Sequence, residues 1–200
     1  EMMMGANLMT PKKNERMISE KPYFCVNNLN HQSTMENGID LKDITIQAHK
    51  GEILGVAGIA GNGQNELMEI LSGEVRASDT SSVSIDQVSV GGFMNVAKSK
   101  EYTEKIISSF KVKTPNVNVT ANSLSGGNLQ KFIFGREILQ DPKVLIVFQP
   151  TWGVDAGSAA YIRQSLINIA DRGAAVIVIS QDLEELYEIS DKISVICEGN

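Results

Sequence analysis

Ser123-Leu-Ser-Gly-Gly-Asn-Leu-Gln-Lys131 is a short polar turn that runs directly into a helix. Leu129, Phe132, Ile133, Arg136 and Leu139 recur at helical spacing behind it, and an apolar strand-like run follows Pro142. A serine hydroxyl and two glycine N–H groups in the first turn of a helix can receive an anion, because those N–H groups have no partner inside the helix. Ser125, Gly126 and Gly127 are such a set. Their meaning depends on whether the rest of the chain supplies a phosphate.

Upstream, residues 53–57 form a short apolar run, and Gly58-Ile-Ala-Gly61-Asn-Gly63 follows at once. Glu66, Leu67, Met68, Ile70 and Leu71 then predict a helix that Gly73 can stop. Strand, glycine loop and helix in that order are the layout of a phosphate cradle. The spacing is G-x-x-x-x-G, but the next two residues, where such loops carry Lys and Ser or Thr, are Gln64 and Asn65. Backbone N–H groups of residues 60–66 could still surround phosphate oxygens. The neutralising cation and the metal-binding hydroxyl are gone, leaving Asn65 as the one candidate metal contact. A glycine turn that merely joins strand to helix is the plain alternative.

The remaining pattern sets the architecture. Residues 1–20 mix Met, Asn, Lys and Pro without a persistent period and are expected to be a linker from an upstream domain. From residue 21 to 200 one domain is expected. Phe24 and Val26, then Leu41, Ile44, Ile46 and Ala48, alternate as antiparallel strands of a small β lobe. A further strand pair is expected in residues 81–90 and a helix over 96–110. After the Ser123 turn come strand 144–148, helix 158–170, strand 174–180, helix 183–189 and strand 193–197. This alternation predicts an α/β fold: a mostly parallel sheet flanked by helices, with ligand loops at the carboxyl ends of its strands.

Composition excludes several classes. The 200 residues are 42% hydrophobic, enough for one real core. A formal charge of −6 and a pI near 5.0, with no basic stripe, argue against a nucleic-acid surface. No apolar run approaches the ~18 residues of a membrane helix, and no signal peptide is read at the start. Cys25 and Cys197 sit in apolar runs and are expected to be buried, reduced thiols of a cytoplasmic setting. His31 and His49 have no partners at metal-ligand spacing.

Leu124-Ser-Gly-Gly127, Pro150-Thr151 and Gly153-Val154-Asp155 follow the glycine loop in one order. With them the chain resembles the nucleotide-binding domains of ABC transporters, a branch of the P-loop NTPases. The resemblance makes residues 124–130 the signature, 144–148 the Walker B strand, 153–155 the D-loop, and Gln181 the switch position. Gly61-Asn-Gly-Gln-Asn-Glu-Leu67 and Gln149-Pro-Thr151 are similar to the second, degenerate half of double-domain subunits that energise simple-sugar and nucleoside importers. The family implies an adenine-stacking residue from the β lobe, which counting places at Met35. It also implies a longer helical and Q-loop region than the fifty-odd residues here between the first helix and Ser123. The abrupt Gly91-Gly92-Phe93-Met94 predicts that this region is shortened or partly missing near residues 91–95.

The departures decide the expected mechanism. An active half would carry Asp at Phe148, Glu at Gln149 and His at Gln181. Gln149 can hydrogen-bond but cannot accept a proton at neutral pH. Glu66 and Glu69 put negative charge in the first turns of a helix that should face phosphate. The resemblance therefore implies a poor site of its own around Gly58, Gly61, Asn62, Gly63, Gln64, Asn65 and Glu66, with Gln149 and Gln181 at degenerate catalytic positions. The intact Ser125, Gly126 and Gly127, with Asp155, would serve ATP held by a partner half. Implied cofactors are ATP and Mg2+, the latter weak or absent at this half's own site. Implied partners are an upstream ATPase half in the same polypeptide, transmembrane permease subunits and, indirectly, a solute-binding protein, at the cytoplasmic face of the membrane. An independently active ATPase and a soluble, non-transport ABC protein are the competing expectations.

Overall fold

Strands β1 (Pro22–His31) and β2 (Leu41–His49) pair antiparallel, with Phe24 opposite Ala48 and Val26 opposite Ile46. Their inward side chains alternate with exposed ones, as the period-2 pattern requires. The computed structural model describes residues 11–75, 83–85 and 96–200. Within the expected strand pair at 81–90, it shows β4 (Val83–Ile85), which joins the other edge of β1. The remainder of that stretch, and the suspected break at 91–95, lie outside the described residues.

The second sheet is wholly parallel. It contains β3 (Ile53–Ala57), β5 (Val144–Phe148), β6 (Ala175–Ser180) and β7 (Lys192–Val195) in the order β5-β6-β3-β7. Helices α1 (Gln64–Ser72), α2 (Val96–Ser109), α3 (Gly126–Ile138), α4 (Ala156–Asp171) and α5 (Leu183–Ile189) cover its faces. A parallel sheet covered on both sides needs continuous apolar strands, and Ala175-Val-Ile-Val-Ile supplies one. Val176 and Val178 point into a core shared with the helices that carry Ile106, Phe134, Ile162 and Leu186. Ala175, Ile177 and Ile179 point the other way, into a core shared with α1 and the β lobe.

One expectation changes. Cys197 is exposed, because β7 ends at Val195 and the chain turns through Glu198 and Gly199, both at positive φ; Cys25 is half-buried in β1. Residues 11–20, polar enough to read as a solvated connector, lie as a strap against the domain. Lys12 exchanges hydrogen bonds with Gln164, and the Lys13 ammonium donates to the Ser190 carbonyl at 2.6 Å. Arg16 Nη2 donates to both Asp191 oxygens at 2.7 and 2.8 Å.

The parallel arrangement brings three turns to one edge. Ala57 pairs with Ser180 and Phe148 with Ile179, so the turns that follow β3, β5 and β6 leave the sheet side by side. These turns begin with Gly58, Gln149 and Gln181.

Candidate functional site

The glycine loop is built around left-handed positions at Gly61 (φ +80) and Gly63 (φ +103), where a side chain would be strained. Gln64 opens α1 and is only 3% exposed, because its side chain folds back over the loop. Its Nε2 donates to the Ile59 carbonyl at 2.9 Å, and its Oε1 accepts the Asn62 N–H at 3.1 Å. A Cβ at Gly58 would meet this amide and come within 2.9 Å of the Ile196 carbonyl, so a larger residue there would force a shift. Asn62 closes the loop from the other side: its Nδ2 donates to Ile59 and its Oδ1 accepts the Glu198 N–H. One backbone donor of the loop, the Asn62 N–H, is thus already engaged by the Gln64 side chain.

Beside the loop is a cavity of about 160 Å³ whose walls include Met35, Gly38, Ile39, Gly61, Asn65 and Glu66. Met35, the position counted for adenine stacking, is one of its lining residues. Asn65 is exposed. Glu66 is buried, and its Oε1 accepts the Ile39 N–H at 2.9 Å, so it pins the β1–β2 connection to α1. Phe148 packs with Val144 and Ile146 against the β-lobe core, its ring offering no donor oxygen. Among the described residues, no three His, Cys, Asp or Glu side chains gather as a metal site.

The second cluster is the turn before α3. Ser125 holds an extended conformation, and its hydroxyl oxygen accepts Asn128 Nδ2 at 2.8 Å, leaving its own O–H to donate. Asn128 Oδ1 accepts the Lys113 N–H at 2.8 Å and so anchors the turn to the segment after α2. A Cβ on Gly126 would meet nothing within 4 Å, whereas one on Gly127 would come within 3.1 Å of the Gly153 carbonyl. Helix α3 thus packs against the loop carrying Asp155. Gln130 Nε2 reaches the Gln149 and Pro150 carbonyls at 3.4 Å, and Lys131 Nζ lies 3.3 Å from Asp155 Oδ2. Asp155 caps α4, accepting the Ser158 hydroxyl at 2.6 Å and the Ser158 N–H at 3.0 Å. Those two bonds, with Lys131 beside them, hold its carboxyl well below the usual range.

Gln149 has φ +48 and donates its N–H to the Ile179 carbonyl at 2.9 Å, which fixes the start of its turn to β6. Gln181 is exposed at the end of β6, and Trp152 is 75% exposed. Beneath these turns is Glu185, which sequence reasoning missed. Asp182-x-x-Glu185 reads as a helix-capping pair, and Asp182 does accept the Glu185 N–H. The Glu185 carboxylate instead turns inward: Oε2 accepts the Ser180 hydroxyl at 2.9 Å, and Oε1 is buried without a hydrogen-bond partner. Burial pushes its carboxyl up. Asn128, Gln130 and Lys131 belong to the stretch singled out in the sequence, which gave them no separate roles.

No protein-family model matches the chain. It is 34% identical over 208 positions to the nucleoside import ATP-binding protein NupA of Lactococcus lactis, an alignment covering 80% of this chain and 41% of that protein. It is 30% identical over 244 positions to the ribose import ATP-binding protein RbsA of Clostridium tetani, with 100% and 47% covered. For the glucose import ATP-binding protein TsgD13 of Haloferax volcanii the figures are 28% over 248 positions, 100% and 45%. The chain thus spans less than half the length of these relatives. A bacterial ABC transporter cassette, solved as a dimer, superposes with a TM-score of 0.73 at 16% identity, over 88% of this chain and 95% of that one. That likeness establishes the fold.

Proposed function

We propose that this chain, an ATP-binding cassette (ABC) domain similar to import ATP-binding proteins, is one half of the motor of an importer for simple sugars or nucleosides. In this reading it is the second half of a double-domain subunit, its own nucleotide site is degenerate, and its signature completes the ATP site of the other half. The contrast between two clusters carries the reading. Ser125 and Gly126 stand open at a helix N-terminus, while the glycine loop is closed over by the Gln64 amide.

Donors around the γ-phosphate of an ATP held by the partner would stabilise charge as it develops, and the Ser125 hydroxyl and the first N–H groups of α3 are of that kind. At this half's own site the chemistry is poorer. Gln149 cannot take a proton, Phe148 cannot coordinate, and the Asn65 amide brings no negative charge to hold Mg2+. Replacing a charged donor by Gln64 also costs on the order of 1 kcal/mol of phosphate interaction.

The other expected components follow as parts of this proposal: an upstream ATPase half, permease subunits at the cytoplasmic face, and a solute-binding protein acting through them. No described helix is long and apolar enough to cross a membrane. The alignments of 248 and 244 positions against the 200 residues of this chain mean that these relatives carry residues this chain lacks, as a shortened region would require.

The test is ATP turnover by the full two-half protein carrying Ser125→Arg. A bulky cation in the open turn should lower turnover by ~10²-fold or more, the scale of losing a charge-stabilising donor. Turnover unchanged by Ser125→Arg would defeat the proposal.

A further inference from the structure

Asn62, in the glycine loop, uses each of its four polar atoms within the chain. Its N–H donates to Gln64 Oε1 at 3.1 Å, and its carbonyl accepts the Gly199 N–H at 3.1 Å. Its Nδ2 donates to the Ile59 carbonyl at 2.9 Å, and its Oδ1 accepts the Glu198 N–H at 2.8 Å. Gln64 Nε2 reaches that same Ile59 carbonyl at 2.9 Å, so two side-chain amides hold one turn of the loop. The bonds continue into the β lobe, where the Gly199 carbonyl accepts the Lys42 N–H at 2.7 Å. Gly199 has φ +79, and a Cβ there would run into the Asp40 carbonyl, so this close approach needs glycine. On its other side the loop is fastened to the same lobe by Glu66, which accepts the Ile39 N–H.

A glycine loop between strand and helix presents backbone N–H groups that suit phosphate oxygens. Here the Asn62 N–H already has an oxygen, supplied by a side chain that is only 3% exposed. Burying an amide is costly unless both of its ends are bonded, and both ends of Gln64 are. We infer that Gln64 and Asn62 form an internal latch. The Gln64 amide stands in for a phosphate oxygen, keeps the loop assembled against α1 and the β lobe, and must be displaced before a phosphate can use the Asn62 N–H. This rests on the motor reading above and adds a count to it. The two halves close on one nucleotide, held by the partner half, because the loop of this half is shaped without one.

A ligand that binds only the unlatched loop has its affinity cut by the unlatched fraction. Unlatching gives up two neutral hydrogen bonds, each worth roughly fivefold in an equilibrium constant, so the cut is about tenfold or more. The experiment titrates the Mg2+ complex of adenylyl imidodiphosphate, a non-hydrolysable ATP analogue, into the full two-half protein and follows amide exchange at Asn62. In the wild type that amide should exchange at least about tenfold more slowly than an open loop amide, with or without the analogue. Gln64→Ala should abolish the protection and tighten the weaker of two binding phases about tenfold, raising the count from one analogue to two. Gln64→Lys cannot accept from Asn62 and should tighten that phase at least as much. Tightening by Gln64→Lys alone, with none by Gln64→Ala, would mean that the loop merely lacks a charge and would overturn the latch. Fast exchange at Asn62 in the wild type would overturn it as well, with no variant needing to fold. Turnover that survives Ser125→Arg would instead overturn the motor reading, and exchange at Asn62 would still decide the latch.

Discussion

Asp155 shows how one side chain can serve both a helix and a site. Its carboxylate closes the N-terminus of α4 through Ser158 and faces Lys131 on α3. Asp155→Ala should cost ~1 kcal/mol of stability, the typical value of an N-cap. The pH dependence has a definite sign. The folded carboxyl titrates below its ordinary value of 3.8, so its contribution is complete above that value and is lost as pH falls through the lower folded value. Urea denaturation should therefore find the gap between wild type and Asp155→Ala narrower at pH 3 than at pH 7. Gln64 marks the limit of sequence reading at this scale. Its identity showed the missing charge, but its fold-back depends on the Ile59 carbonyl and Asn62 N–H being presented by the loop's own geometry.

At the scale of elements, α3 is positioned by its back rather than by its open end. Gly135 lets the Phe110 ring come against the helix, and Phe110 in turn meets Phe134 and Tyr161 edge-on at 6.4 and 5.3 Å. A Cβ at Gly135 would lie 2.5 Å from that ring and 2.9 Å from Ile106. Gly135→Ala should therefore destabilise by ~1–3 kcal/mol through overpacking, outweighing the ~1 kcal/mol gain in helix propensity. Gly126→Ala, facing open space, should be neutral or slightly stabilising; thermal melts of the two variants check the contrast. The helices and strands themselves were legible because amphipathic and alternating periods are local. The burial of Glu185 behind Ser180 was not, since a polar residue after a cap reads as solvated until another element covers it.

Across the whole molecule, residues 11–20 tie the chain's beginning to its end. The Arg16 side chain is 5% exposed between Asp171 and Asp191, and Asp191 also accepts the Ile53 N–H at 2.7 Å. Arg16→Ala should cost about 2 kcal/mol, the scale of hydrogen bonds to a charged group, with Arg16→Lys recovering only part. Chemical denaturation of the three proteins measures it. No sequence pattern marks the strap, because the partner of Arg16 is 175 residues away and that of Lys12 is 152.

The same separation governs how the molecule comes into being. The fully buried strand β3 has its neighbours in β6 and β7, Ile53 meeting Val176 and Leu54 meeting Lys192. On a ribosome adding roughly 5–20 residues each second, β3 waits on the order of ten seconds for its first partner. During that interval the buried strand and both its backbone edges are unpaired, so the nascent chain is open to capture by chaperones until β6 emerges.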